Sequence, residues 1–263
     1  MPQIHLHAEP GDYAPVVLMP GDPNRATRIA ARFDGGLEAS RLVTEHRGLL
    51  GYTGTLDGVP VSVQTTMMGT PTTTIVMEEL LMLGVTTFIR VGTTGGFGRL
   101  GIGDAVIALA AASASGIGHA LGGGEPTAPT ASYDVVQVLE RTARDAGLVT
   151  HVGPIVTGDL FYDPNPVGAM RWGRRGYLSA EMESAAIFLL AMREQAKGRR
   201  VRAGSILTVS DVIVDPDLEQ AAGAPRDKAW FRPPEDEVTR RVDLTIGAAL
   251  AAAVELGREA DSR

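Results

Sequence analysis

The sequence predicts an α/β fold, organised as one domain over residues 1–263 with a mixed central β-sheet and helices on both of its faces. Two observations support this prediction. Short apolar runs of strand length alternate along the chain with longer amphipathic stretches, a pattern typical of strands joined by crossover helices. The chain has 263 residues, of which 44% are hydrophobic, and this is sufficient for one large core.

The first third of the chain holds the clearest local signals. Val16–Met19 is a short apolar run that predicts a buried strand, and a helix is predicted at 24–33, before two glycines. Strands are predicted at 49–56 and 59–65, because Asp57-Gly58 between them is typical of a two-residue hairpin turn. Thr70-Pro71 predicts an N-cap and a first helical proline, for a helix that ends before Gly84.

The same alternation continues to the end of the chain. It predicts strands at 86–91, 105–112, 151–157 and 201–209, and helices at 132–146, 181–195 and 235–257. Residues 113–131 are rich in Gly, Ala, Ser and Pro, and this composition predicts a mobile loop.

Composition excludes several classes of function. A formal net charge of −7 disfavours non-specific binding to nucleic acid or to anionic membranes. The absence of cysteine excludes disulfides, Cys₄ zinc sites and a thiol nucleophile, and the histidines lack metal-ligand spacing, so no metal is expected. The longest apolar run, 105–112, is far shorter than the ~20 residues of a membrane span. We therefore expect a soluble, cytoplasmic protein.

Two arginines near glycines indicate a site for an anion. Arg25 follows Gly21, Arg90 precedes Gly92-Thr93, and each pair comes after a strand-like run. A glycine lets backbone N–H groups approach an oxyanion, a guanidinium binds it through two parallel hydrogen bonds, and a hydroxyl adds a neutral donor. Either segment alone would be interpreted as an ordinary turn or a flexible connection. Together they predict a phosphate site formed by two glycine-bearing loops.

Eight short motifs then resemble the family of hexameric purine nucleoside phosphorylases and uridine phosphorylases, in its order and near its spacing, over nearly the whole chain. They are residues 4–12, 20–23, 46–54, 68–71, 90–93, 159–162, 181–185 and 208–211. The resemblance implies reversible phosphorolysis of a nucleoside to the free base and a pentose 1-phosphate. Inorganic phosphate would be the co-substrate, and no cofactor is expected.

The resemblance also implies which residues bind the two substrates. Phosphate would contact Gly21, Arg25, Arg90 and Thr93, together with Arg47 from a neighbouring subunit. The nucleoside would contact Met68, Phe161, Glu181, Met182 and Glu183, together with His5 of the neighbour. A carboxylate such as Glu183 can accept hydrogen bonds from the 2′ and 3′ hydroxyls of ribose. An alternative interpretation of Glu181 is that its negative charge complements the dipole of the helix that begins at this residue. The implied assembly is a homo-oligomer, in this family a hexamer built from three dimers.

The signals for the base are mixed. The segment 92–95 looks like uridine phosphorylases, but the glutamine and arginine with which those enzymes read a pyrimidine are missing from 163–168. Asp211 matches the aspartate of the purine branch, which would act as a general acid at N7. Arg226 is the nearest candidate for its helper arginine, and Val212 stands where the purine branch usually has histidine. Asp211 is otherwise interpreted as capping the turn after its strand.

Three alternatives remain open at this stage. Uridine phosphorylase is one, and the preference among adenosine, inosine and guanosine is not determined. A nucleosidase of the same fold would use water, although three retained arginines, Arg25, Arg47 and Arg90, disfavour it. A dinucleotide-binding protein is suggested by the glycines after the strand at 86–91, but their spacing is not Gly-x-Gly-x-x-Gly.

Overall fold

The computed structural model describes residues 3–163, 167–215, 217–219 and 230–261. These residues contain a ten-stranded β-sheet. Its strands are β1 (Val16–Met19), β2 (Arg41–Thr44), β3 (Gly51–Leu56), β4 (Val59–Gln64), β5 (Thr87–Phe97), β6 (Ala105–Ala114), β7 (Thr150–Gly158), β8 (Ser179–Glu181), β9 (Arg202–Ile213) and β10 (Trp230–Phe231). The helices are α1 (Pro23–Ala30), α2 (Gly36–Ala39), α3 (Thr70–Met82), α4 (Gly116–Leu121), α5 (Tyr133–Asp145), α6 (Val167–Arg174), α7 (Ser184–Ala196) and α8 (Glu235–Asp261).

The strands are ordered β10-β9-β6-β7-β8-β5-β1-β4-β3-β2, and β9 pairs a second time, with β5. Strands β5, β8, β7, β6 and β9 therefore form a closed ring, from which β1, β4, β3 and β2 extend as an open sheet. β1, β5 and β9 are parallel, so that their carboxyl ends meet at one edge of the sheet, where open α/β sheets usually bind ligands.

Helices cover both faces of this mixed sheet. On one side α5 packs against α8, and elsewhere α3 packs against α7. β1 is buried at all four of its residues, as expected for a strand that is covered on both faces. This arrangement confirms the predicted fold class. None of the helices in the described residues is both long and apolar enough to cross a membrane.

The predicted hairpin is confirmed, and its turn explains why it forms. β3 and β4 pair from Gly51 with Gln64 to Leu56 with Val59, and Asp57 and Gly58 between them have φ values of 49° and 73°. Two successive left-handed residues are what a type I′ turn requires, and Asp-Gly is among the sequences that adopt it most readily.

Several predicted boundaries are wrong, for reasons that lie in distant parts of the chain. β5 does not end at Val91, because the predicted glycine loop continues it to Phe97 by pairing with β9 and β8. Gly69, with φ 90° and no side-chain hydrogen bond, precedes α3, so that Thr70 lies inside the helix and does not cap it. α7 begins at Ser184, since residues 179–181 form β8. The predicted loop at 113–131 contains the short helix α4.

A cluster of ion pairs stabilises the end of α7. The buried carboxylate of Glu194 accepts hydrogen bonds from Lys197 Nζ at 2.8 Å, from Arg193 Nε at 2.9 Å and from Arg199 Nη1 at 2.8 Å. The hydrogen bond from Lys197, with those from the two arginines, outweighs the effect of burial and lowers the pKa of Glu194 to about 2.

We expect Glu194→Gln to lower the melting temperature at pH 7 by several degrees, since about 1 kcal/mol corresponds to roughly 2–4 °C in large domains. The folded-state pKa of Glu194 is depressed from its ordinary 4.5. The carboxylate therefore contributes fully above pH 4.5, and its contribution is lost as the pH falls toward about 2. Melting curves of both proteins across this range should converge at low pH. A pH-independent difference would contradict this account.

Candidate active site

A cavity of about 1120 Å³ opens at the carboxyl ends of β1, β5 and β9. Of the predicted site residues that the structure describes, all line it except His5 and Arg47. Those that do are Gly21, Arg25, Met68, Arg90, Thr93, Phe161, Glu181, Met182, Glu183 and Asp211. Arg226 lies outside the described residues. The roles of all these residues in binding or catalysis remain predictions.

Arg25 places a cation at the wall of this cavity. It lies in the first turn of α1, where Asp22 caps the helix by accepting a hydrogen bond from Asn24 N. Arg25 Nη1 donates to the carbonyl of Val91 at 3.0 Å, whereas its Nε is buried and has no hydrogen-bond partner among the described residues. Burial lowers the pKa of Arg25 to about 10, so it remains a cation at neutral pH. The charge of Arg25 would attract an anion that enters the cavity.

Arg90 is buried and is held by two glutamates. Its Nε donates to Glu181 Oε2 at 2.8 Å, and its Nη2 lies 2.5 Å from Glu183 Oε2. Burial alone would lower the pKa of Arg90, but the charges of Glu183 and Glu181 outweigh it and the pKa is raised. Gly92 makes room for the guanidinium, since a Cβ there would lie 2.8 Å from Arg90 Nη2. Part of the charge of Arg90 is thus neutralised within the chain.

Glu181 accepts several hydrogen bonds from residues at the start of α7. Its carboxylate accepts hydrogen bonds from the backbone N–H groups of Glu183 and Ser184, from the hydroxyls of Thr157 and Ser184, and from Arg90. These contacts match the interpretation of Glu181 as a partner of the helix N-terminus. They also fix the position of Arg90 at the wall of the cavity.

Glu183 is the second carboxylate of this pair. Its Oε1 accepts a hydrogen bond from Gly69 N at 2.7 Å, and its Oε2 faces Arg90. Burial raises the pKa of Glu183, with the charge of Arg90 acting in the opposite direction. Met68 and Met182 line the cavity near it. A buried carboxylate between two methionines is a suitable environment for the hydroxyls of a sugar.

Asp211 lies farther along the sheet than Arg90, where a bulge separates the β5–β9 pairs Thr94–Val209 and Gly95–Asp211. Such bulges often re-aim a side chain beside an active site. Asp211 is 6% exposed. Its Oδ1 accepts a hydrogen bond from the Ser210 hydroxyl at 2.6 Å, and its Oδ2 accepts one from Trp230 Nε1 at 2.8 Å.

Two lining residues near Asp211, Trp230 and Arg232, are missing from the predicted set. Arg232 Nη1 lies 3.8 Å from Asp211 Oδ1. β10 pairs with β9 in antiparallel register, with Trp230 opposite Ile213 and Phe231 opposite Val212. Continuing that register by one residue places Arg232 opposite Asp211. No motif or spacing in the sequence indicates this pairing, because the sixteen residues 214–229, which have an irregular composition, separate the two strands.

Aromatic and other apolar side chains also line the cavity. Phe161 contacts Tyr162 edge to face, with ring centroids 5.0 Å apart, and is 58% exposed. Met170 and Trp172 of α6 add apolar surface, and neither was predicted from the sequence. Such a wall suits the flat face of a heterocyclic base. In the described part of the chain, no three His, Asp or Glu side chains form a group that could hold a metal ion.

His5 and Arg47 do not line the cavity of their own chain. His5 Nδ1 lies 2.7 Å from Glu79 Oε1, and the backbone N–H of His5 also donates to that carboxylate. Arg47 is exposed in a short 3₁₀ turn at 46–48 and adopts a left-handed conformation with φ 58°.

Comparison with known proteins identifies the family. A family model described as "Phosphorylase superfamily" matches residues 15–237 of this chain. The chain belongs to the phosphorylase superfamily. The resemblance inferred from the eight motifs is thereby confirmed, and the matched range includes all of the described residues that line the cavity.

Individual members of the phosphorylase superfamily are similar over most of their length. A DeoD-type purine nucleoside phosphorylase of Clostridium perfringens is 40% identical over 213 residues, which cover 80% of this chain and 87% of that protein. A protein of the same name from Geobacillus sp. (strain WCH70) is 39% identical over 213 residues, with the same coverage. Another, from Streptococcus uberis, is 39% identical over 221 residues, 83% of this chain and 90% of the relative.

Proposed function

We propose that this phosphorylase catalyses the reversible phosphorolysis of purine ribonucleosides and deoxyribonucleosides to the free base and a pentose 1-phosphate. The observation that carries the proposal is that one cavity is lined both by the cations Arg25 and Arg90 and by the buried carboxyl of Asp211. The names of the relatives support the purine assignment. Inorganic phosphate is the co-substrate, no cofactor takes part, and the enzyme works in the cytoplasm.

The cations and the carboxyl have complementary roles in the proposed reaction. Phosphate is bound by the Gly21 backbone, Arg25, Arg90 and Thr93, and one of its oxygens forms a bond to the anomeric carbon of the sugar. The glycosidic bond between that carbon and N9 breaks, and its electron pair goes to the base. Asp211 donates a proton to N7, so that the base leaves as a neutral molecule.

The sugar is oriented between the phosphate and Asp211. Glu183 accepts hydrogen bonds from the ribose hydroxyls, while Met68 and Met182 contact its apolar edge. Phe161 stacks on the base. Holding the sugar in this way places the anomeric carbon between nucleophile and acid and lowers the entropic cost of the displacement.

A phosphate-dependence assay tests the proposal directly. Release of hypoxanthine from inosine and of adenine from adenosine is measured with and without inorganic phosphate, and the sugar product is identified by its mass. The expected result is base release only with phosphate, together with pentose 1-phosphate. Equal release in phosphate-free buffer would identify a nucleosidase, and faster cleavage of uridine would identify a pyrimidine enzyme.

We further propose that the enzyme is a homohexamer of three dimers, in which His5 and Arg47 complete the partner's site. Their position outside their own cavity supports this proposal. We expect Arg47→Ala and Asp211→Asn each to be nearly inactive, and a mixture of the two, after subunit exchange, to regain activity. In a mixed dimer, one of the two sites contains both native residues.

Arg47→Ala carrying Asp211→Asn on the same chain provides the control, because mixing it with either single variant creates no complete site. Recovery is measured as adenosine phosphorolysis, and light scattering gives the assembly size. Absence of recovery despite demonstrated exchange would show that Arg47 does not act in the neighbouring site.

A further inference from the structure

We propose that Trp230 is a positioning residue for Asp211: it fixes the orientation of the carboxyl group and makes Oδ1 the oxygen that carries the proton. This inference rests on the proposed purine phosphorolysis and assigns a role to a residue that no motif predicts.

Sheet register explains why Trp230 reaches Asp211. Trp230 is paired with Ile213, and residues two apart on a strand point to the same face of the sheet, so that Trp230 and Asp211 are diagonal neighbours on one face. An aromatic side chain spans that diagonal distance. On the other side of Asp211, β5 presents Gly95, and a Cβ there would lie 2.9 Å from Asp211 Oδ2. The carboxyl group therefore occupies a slot between a glycine and an indole.

The chemistry of the partners distinguishes the two oxygens. An indole Nε1–H is a donor only, and the O–H oxygen of a carboxylic acid is a poorer acceptor than its carbonyl oxygen. The 2.8 Å hydrogen bond from Trp230 is therefore strongest when Oδ2 carries no proton. Ser210, at 2.6 Å from Oδ1, has a hydroxyl that both donates and accepts, and it can rotate to accept the proton's hydrogen bond. These contacts favour Oδ1 as the protonated oxygen.

This assignment defines the proton-transfer step. As the glycosidic bond breaks and its electron pair moves into the base, the proton passes from Oδ1 of Asp211 to N7. The carboxylate that remains is stabilised by the Trp230 hydrogen bond and by the charge of Arg232, 3.8 Å from Oδ1. Trp230 lines the cavity and is 47% exposed. It contacts the acid directly, and its effect on the reaction is exerted through Asp211.

The test compares Trp230→Phe, Asp211→Asn and the double variant in phosphorolysis of adenosine and inosine. Trp230→Phe retains an aromatic ring and removes the N–H donor. We expect it to lower kcat for adenosine about tenfold, the scale of one hydrogen bond to a charged group, with a smaller loss on inosine and an unchanged phosphate KM. In the Asp211→Asn background, Trp230→Phe should cause a much smaller further loss of kcat on adenosine, because the proton it positions is absent and only the orientation of the amide is left to lose.

Phe231→Leu is the matched control, because it removes aromatic bulk from the same short strand at a residue that packs on the core. It should leave the adenosine-to-inosine ratio of kcat unchanged, and thermal melting verifies that both variants fold. Equal losses on the two nucleosides with Trp230→Phe, or a full additional loss in the Asp211→Asn background, would overturn the inference alone. Absence of purine phosphorolysis in the wild type would instead overturn the proposed function and the inference together.

Discussion

Asp211→Asn is expected to lower kcat for adenosine by about 10²–10⁴-fold, the usual scale for loss of a general acid. The structure gives the substitution a defined geometry. The donor-only Trp230 indole, 2.8 Å from Oδ2, directs the amide oxygen toward itself, so that the amide NH₂ takes the place of Oδ1. The amide can then hydrogen-bond to N7 but cannot transfer a proton.

Inosine provides the internal control for this experiment. Its 6-oxo group can accept a hydrogen bond from the amide and can carry part of the negative charge of the leaving base, whereas adenosine has no such group. The loss of kcat on inosine should therefore be smaller than the loss on adenosine. Steady-state kinetics of the wild type and the variant with both nucleosides test this prediction. Equal small losses of kcat on the two nucleosides would mean that Asp211 only shapes the end of β9.

Arg90→Ala is expected to cost about 3–5 kcal/mol of folding free energy, because removing one partner of a buried ion pair leaves uncompensated charge behind. Arg90 is 4% exposed and holds both Glu181 and Glu183. Denaturant unfolding at pH 7 measures the loss. The control is Arg141→Ala, which breaks the exposed pair of Arg141 with Glu255 and should cost at most about 1 kcal/mol.

The pH dependence of this loss follows from the carboxyl groups. Burial already raises the pKa of Glu183, with Arg90 opposing it, so removal of Arg90 raises that pKa further. A carboxyl group whose folded-state pKa is raised destabilises the protein at high pH, and the penalty disappears as the pH falls below its unfolded pKa. The deficit of Arg90→Ala should therefore shrink as the pH is lowered. A deficit that grows at low pH would contradict the assignment.

Phosphate kinetics separate the two roles of Arg90. Its removal should raise the phosphate KM and lower kcat, since it contributes to binding and to orienting the nucleophile. Arg25→Ala leaves Glu181 and Glu183 paired with Arg90, and it should raise the phosphate KM with a much smaller effect on stability. Unchanged phosphate kinetics in both variants would show that the anion site is misplaced.

Local features of the sequence determined a large part of this structure. The run Val16–Met19 and the turn Asp57-Gly58 are present as predicted, because burial and left-handed turn conformations depend on the residues themselves. The two arginines and their glycines were recognisable from chemistry alone, and Arg25 and Arg90 do line one cavity.

Only the tertiary structure decided which polar groups pair with one another through hydrogen bonds and ion pairs. The glycines after Arg90 become part of β5 because their partners lie on β8 and β9, more than eighty residues away. Arg90 is paired with Glu181 of β8 and with Glu183 at the start of α7. Asp211 accepts a hydrogen bond from Trp230, which lies on the short antiparallel strand beside its own. Local propensity and spacing predict elements and residue types, but a hydrogen-bond partner contributed by a distant strand depends on sheet register, which exists only once the chain has folded.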